Sequence, residues 1–219
     1  MLDQSVSKVE VSGFTARFYD RILNWGSLGK YDRFLKDAIA KMAIQSDDAI
    51  LDLGCGTGKN DCLMAEYLSP EGRIVGVDIG REMVEQFEKN CGRFRNISLH
   101  QQSILEELPF KEEFDKVFMS FVFHGFTQEN RKTIIGNAYR ALKKDGQLIV
   151  LDFNEFEFEK KPFWFRMGFK AIECPLAFEY IEINWKEQLK AWGFEIFEEH
   201  LWFMDTLRLF KARKIENGL

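Results

Sequence analysis

Ile50-Leu51-Asp52-Leu53-Gly54-Cys55-Gly56-Thr57-Gly58 is an apolar run that ends in a turn built on three glycines. The run has the length and composition of a buried strand. Residues 59–68 then show helical spacing, with Leu63, Met64, Tyr67 and Leu68 on one side. A strand, a glycine turn and a helix in that order open a parallel α/β unit. Glycine at such a turn permits positive φ and close approach of a ligand to the backbone. The helix behind it presents free N–H groups and a positive dipole end, which favour an anionic group.

Working outward, strands are predicted over 73–77, 97–101, 114–120, 147–151, 194–201 and 206–212. Helices are predicted over 81–90, 128–143 and 185–191, and in the first 48 residues, where Phe14, Phe18 and Ile22, then Phe34, Ala38 and Met42, recur at three-to-four spacing. Alternating strands and helices predict a Rossmann-like, seven-stranded, mostly parallel sheet with helices on both faces. The expected division is a helical cap over 1–48 and a core over 49–219. Residues 154–184 are aromatic, charged and without clean periodicity. So long a stretch after a core strand reads as a lid or insertion.

Composition narrows the function. The 219 residues carry a net charge of −5, with no concentrated basic face, so a nucleic-acid partner is not expected. No apolar run approaches the roughly 20 residues of a membrane span, and the N-terminus lacks a secretory pattern, so a cytoplasmic protein is expected. Cys55, Cys62, Cys91 and Cys174 lack paired CxxC spacing, and His100, His124 and His200 stand far apart; no metal site is expected. Seventeen of the 22 phenylalanines follow residue 100. That half of the chain is expected to enclose or meet an apolar surface.

The glycine spacing separates the candidate ligands. Dinucleotide sites use G-x-G-x-x-G, whereas this loop is G-x-G-x-G with an aspartate two residues before it. Asp78 closes the second strand about 20 residues on, where an acid takes the hydroxyls of a ribose. Loop and acid together suit an adenosine compound bearing a carboxylate, such as S-adenosylmethionine (SAM).

These segments resemble the class I SAM-dependent methyltransferases. The stretch from Ile50 to Gly58 resembles their first motif, and Val75-Gly76-Val77-Asp78-Ile79 the second. Leu108-Pro109-Phe110 with Phe114-Asp115-Lys116-Val117 resembles the region of the fourth strand, and Leu142-Lys143-Lys144-Asp145-Gly146-Gln147-Leu148 the turn into the fifth. Tyr19-Asp20 and Ser27-Leu28-Gly29 bring the chain nearest to the ubiquinone/menaquinone-biosynthesis C-methyltransferases. The resemblance implies that Gly54, Gly56, Thr57 and Gly58 line the methionine part of SAM and that Asp52 meets its ammonium. Asp78 would hold the ribose, Ile79 and Met83 would lie against adenine, Ser120 would contact the methionyl amine, and Tyr19 would close over the cofactor. The product would be S-adenosylhomocysteine. Where the family carries Gly-Asp-Ala, this chain has Ser103-Ile104-Leu105. Ile104 has no side-chain acceptor, so adenine recognition falls to Ser103, Gln102 or the backbone.

The implied acceptor is a small, apolar or aromatic, quinone-precursor-like molecule. Phe123, Phe156, Trp164 and Phe165 are its expected walls. Lys160, Lys161, Arg166 and Lys170 add a possible peripheral membrane contact. His124, at a position that is arginine in the resembling enzymes, is the candidate general base. A lipid amine, a thiol or a metalloid is the alternative acceptor, and a catalytically silent SAM-binding protein is the alternative role.

Overall fold

The computed structural model describes residues 30–215. Tyr19, Asp20 and the Ser27-Leu28-Gly29 turn lie outside them, as does most of the expected N-terminal cap. Within that range the strands are β1 (Ala49–Leu53), β2 (Arg73–Asp78), β3 (Ile97–Gln101), β4 (Phe114–Ser120), β5 (Leu142–Phe153), β6 (Phe194–Trp202) and β7 (Leu207–Lys214). The helices are α1 (Lys30–Lys41), α2 (Lys59–Met64), α3 (Arg81–Cys91), α4 (Gln128–Ala141), α5 (Phe163–Ile172), α6 (Pro175–Tyr180) and α7 (Trp185–Ala191).

The seven strands form one sheet in the order β3-β2-β1-β4-β5-β7-β6, parallel except for β7, which runs antiparallel to both of its neighbours. The expected fold class is therefore observed. Strand order reverses between β1 and β4, which pair directly. The carboxyl ends of those strands are where an open α/β sheet receives its ligand.

Alternate residues of the central strands serve opposite faces, as the pleat requires. Leu51, Val75, Val117 and Val150 pack with α4, α6 and α7. Ile50, Ile74, Phe118 and Ile149 pack on the other face with Phe34, Leu35, Ala38, Ile39 and Met42. The apolar stripe of α1 is thus a layer of the core.

Two boundaries differ from expectation. α4 stops at Ala141 and β5 begins at once; residues 143–146 stand opposite Asp115 alone, three more than a regular pairing with β4 needs, since Phe114 pairs with Leu142 and Lys116 with Gln147. Asp145-Gly146 reads as a turn in sequence but lies in this irregular strand. The segment 154–184 also carries structure that its aromatic sequence disguises, a 3-10 turn (Phe158–Lys160) followed by α5 and α6. Leu176, Ala177, Tyr180 and Ile181 are buried in the main core. Only α5 presents a bare outer face, with Phe163, Trp164 and Met167 exposed.

Candidate functional site

The loop after β1 is tied to β2. The N–H groups of Gly54 and Cys55 both donate to the Val77 carbonyl, at 2.8 and 3.1 Å. Gly54 and Gly58 have φ of 80° and 75°, in the region that disfavours side chains. A Cβ on Gly54 would also stand 2.6 Å from a methyl of Val122, the point where the β1 and β4 loops meet. Asp78 grips the same loop from β2. Its carboxylate accepts from Gly56 N–H at 2.9 Å and from Gly80 N–H at 2.8 Å.

A pocket opens at the strand reversal, lined by Gly54, Cys55, Gly56 and Thr57 from the first loop and by Ser120, Phe121 and Val122 from the end of β4. Tyr31, Leu35, Lys59, Asn60 and Met83 complete the wall. Asp52 on β1 and Asp61 on α2 are almost fully buried and interact with each other, and among the described residues no cationic side chain meets either carboxyl. Burial, and then the neighbouring Asp61 carboxyl, push Asp52 well above the usual carboxylate range. Burial pushes Asp61 up to about 7. Buried acceptors without donors are costly unless a ligand completes them. A primary ammonium with its three donors is the complement they lack, so the residues present fit the methionine end of SAM.

The loop after β4 is organised by charge. His124 Nδ1 lies 2.7 Å from Asp152 Oδ1, its Nε2 lies 3.4 Å from Glu173 Oε2, and its N–H donates to Asp152 Oδ2 at 3.1 Å. Burial works to strip the ring of its extra proton. Asp152 and Glu173 outweigh it and raise the pKa to about 10. A ring that holds its proton between two carboxylates is a poor acceptor of another, which weighs against the expected role of His124 as general base. Arg131, fully buried on α4, holds the same loop. Its guanidinium donates to the carbonyls of Phe123, His124 and Leu176 and to Glu179.

Aromatic rings lead away from the pocket. Phe121 has φ of 54°, a rare conformation for a non-glycine residue. Its ring lies 6.3 Å from Phe153, which in turn is 5.0 Å from both the His124 ring and Phe169. Phe156, Phe158, Phe165 and Phe178 surround Phe169. A larger groove of about 890 Å³ on the segment 154–184 is lined by Phe156, Phe158 and Phe178 with Glu155, Glu157, Glu159 and Glu182. It shares no lining residue with the pocket at the strand reversal.

The methyltransferase domain family matches residues 44–194. That is most of the chain. It belongs to the methyltransferase domain family. Among relatives, the ubiquinone/menaquinone biosynthesis C-methyltransferase of Wigglesworthia glossinidia brevipalpis is 38% identical over 121 residues, covering 52% of this chain and 47% of its own. An uncharacterized methyltransferase of Synechocystis is 27% identical over 195 residues, covering 85% of each. The solved SAM-dependent methyltransferase of Aquifex aeolicus superposes with a TM-score of 0.63 at 16% identity, covering 81% of this chain and 88% of that one. At that identity the likeness is one of fold. The chain spans 47% to 60% of the length of the first curated relatives it matches.

Several expected site residues of this methyltransferase domain meet in one place: Gly54, Gly56, Thr57, Met83 and Ser120 line the pocket, with Asp52 below and Asp78 gripping the loop. Ile79, beyond Asp78, is half exposed. Others do not meet. Ile104 is buried in the core, and its carbonyl accepts from the Asn137 amide. Ser103 caps its own turn, accepting from Leu105 N–H at 3.3 Å. Phe123, expected as an acceptor wall, is fully buried against Tyr180 and Trp185, because its short 3-10 turn points inward. Trp164 faces outward, 66% exposed, because α5 buries the side that carries Phe165 and Phe169. Phe156 and Phe165 pack on each other in the lid.

Tyr31, Asn60, Phe121, Val122 and Arg131 were not singled out by sequence. The i, i+4 spacing of Tyr31 and Leu35 places both on one helix face. Nothing in that spacing says that the face meets the β1 loop. Phe121 gave no signal, because backbone conformation is not written in a phenylalanine.

Proposed function

We propose that this protein is a SAM-dependent methyltransferase acting on a small, apolar or aromatic acceptor of the quinone-precursor kind. The observation that carries the proposal is the continuity of two features at the strand reversal. A pocket whose lining residues adjoin in sequence the buried carboxyls of Asp52 and Asp61 opens beside Phe121, the first of a series of packed rings. Asp52 would hold the methionyl ammonium, the loop Gly54–Gly58 its carboxylate, and Asp78 the ribose hydroxyls. Met83 and Ile79 would lie along the adenine. When bound, SAM supplies an electrophilic methyl group. The chain contributes position and exclusion of water, which account for much of the rate in such displacements.

With His124 held as a cation, no neutral imidazole is at hand to take a proton from the acceptor. A hydroquinone acceptor, whose phenolic hydroxyls ionise at about pH 10, would then have to lose its proton to water or to another group as the methyl is transferred. The same absence favours an amine or thiol as the second reading. The exposed Phe163, Trp164 and Met167 of α5, next to Lys160 and Lys161, support a peripheral contact with a lipid surface, where long-chain acceptors reside. Among the described residues no helix is long and apolar enough to cross a membrane.

Titration calorimetry with S-adenosylhomocysteine tests the cofactor. Methyl transfer from labelled SAM, compared across a demethylated quinone, an aminophospholipid and a small thiol, tests the acceptor. Label in the quinone carries the proposal; label in the amine or thiol alone moves it to the second reading. Binding without transfer to any of them leaves a silent SAM-binding protein.

A further inference from the structure

Directly behind the cofactor loop lie two cysteines that the proposed chemistry does not use. Cys62 is on α2 and Cys91 ends α3, and their sulfurs are 2.6 Å apart. That is about half an ångström more than a disulfide bond. Cys91 Sγ also lies 3.2 Å from the Gly58 carbonyl, which accepts from Cys62 N–H at 2.9 Å. A Cβ on Gly58 would stand 2.7 Å from Cys91 Sγ, so this thiol fills the space behind the last glycine of the loop. Cys62 is partly exposed, whereas Cys91 is buried. Among the described residues no three ligating side chains are grouped to hold a metal ion.

We propose that Cys62 and Cys91 are a redox-modification site, a dithiol that closes to a disulfide and thereby weakens the adjacent cofactor loop. The oxidant it takes is a low-molecular-weight disulfide. Cys62 is the attacking sulfur: it is the accessible one, and the hydrogen bond from Cys91 lowers its pKa below that of an ordinary thiol. The same hydrogen bond, with burial, raises Cys91, which keeps its proton until the second step. Attack of the Cys62 thiolate forms a mixed disulfide and expels one small thiolate. Cys91, giving up its proton, then attacks the Cys62 sulfur and expels the second. The protein loses two electrons and two protons, and the small disulfide becomes two thiols. The closed bridge takes away the one Cys91 proton, which lies between Cys62 and the Gly58 carbonyl, and ties α2 to α3, the helices that begin at the pocket.

The consequence for the cofactor rests on the proposed SAM site; the bond itself does not. The full chain is incubated with oxidised glutathione, and its intact mass and linked peptides are read. A product lighter by two hydrogens, with Cys62 joined to Cys91 and restored by dithiothreitol, is expected. Cys62→Ser should abolish the product, and Cys91→Ser should stop at the mixed disulfide on Cys62. No internal bond in the wild-type chain, or a bond to Cys55 or Cys174, would overturn the site. The bridged protein should bind S-adenosylhomocysteine about two- to tenfold more weakly than the reduced one, the worth of one hydrogen bond. Equal affinity overturns the coupling. A reduced protein that binds none overturns the SAM reading and leaves the mass result to judge the bond.

Discussion

His124 Nδ1 lies 2.7 Å from Asp152 Oδ1, and that contact fixes the charge of the loop after β4. Asp152 is 1% exposed and also accepts from the N–H groups of His124 and Phe153. A buried carboxylate that has lost its cation is strongly destabilising. His124→Gln is therefore expected to cost about 3 kcal/mol of unfolding free energy in urea titration. Asp152→Asn in the same chain should recover much of it. Arginine is a cation at every pH of interest, so His124→Arg should restore the charge. Loss of turnover in His124→Gln with stability unchanged would return a chemical role to the ring.

The pH dependence has a definite sign. Folded His124 titrates at about 10 against an ordinary value of about 6.5, so the folded state binds this proton more tightly. Its contribution is complete below about 6.5 and is lost as pH rises from there through about 10. The unfolding free energy of the wild-type chain should fall across that window, and the fall should be absent in His124→Gln. A wild-type curve of the same slope as the variant would show that the ring is neutral.

Asp78 joins the β1 loop to the start of α3 through Gly56 and Gly80. Asp78→Ala removes both acceptors together with the proposed ribose contact. S-adenosylhomocysteine binding should weaken by about 1.5–3 kcal/mol, the worth of charge-assisted hydrogen bonds. Calorimetry reads it directly, and unchanged affinity would remove Asp78 from the site.

The fold was legible because its signals are local. The run Ile50–Leu53 ending at three glycines, and the acid closing the next strand, depend on neighbours in the chain. Their counterparts in space were not legible. His124 is governed by Asp152 and Glu173, residues 28 and 49 positions away, and only the packing of β5 and α5 beside its loop reveals that it is a cation. Cys62 and Cys91 are 29 positions apart and show no paired spacing in sequence until α2 and α3 bring them together. Phe123 and Trp164 lie on opposite sides of the surface, one buried and one exposed, for a related reason. Aromatic composition marks where apolar surface is used, but not on which side of a short turn or helix it lies.

Arg131 shows how far the segment 154–184 depends on the core. Its guanidinium is fully buried, stacked near Tyr180 and Trp185, and reaches the Leu176 carbonyl of α6 as well as the loop carrying His124. Lysine cannot reproduce that fork of donors. Arg131→Lys is expected to lose about 3 kcal/mol of stability, two lost charge-assisted bonds at the low end of their range. Amide exchange in α6 should quicken more than in β1. Uniform quickening across the sheet would mean that Arg131 supports the domain as a whole.

Asp52 and Asp61 set the final test, because the cost of burying them is relieved only by what binds. An unfolded aspartate titrates near 3.9, and burial pushes folded Asp61 up to about 7. Between about pH 4 and 7 folding therefore takes up a proton at Asp61, so this group's contribution to ligand-free stability should decline across that window. Asp61→Asn should flatten the decline, since an amide keeps the shape without the titration. A bound ammonium prefers the ionised pair, so binding S-adenosylhomocysteine should release protons near pH 7. Its affinity should rise as the pH is raised from 6 to 8. Calorimetry in buffers of different ionisation enthalpy counts the released protons. A count of zero at pH 6.5, with affinity flat in pH, would show that the pair does not meet the ammonium, and the methionine end of the cofactor would have to be placed elsewhere in the pocket.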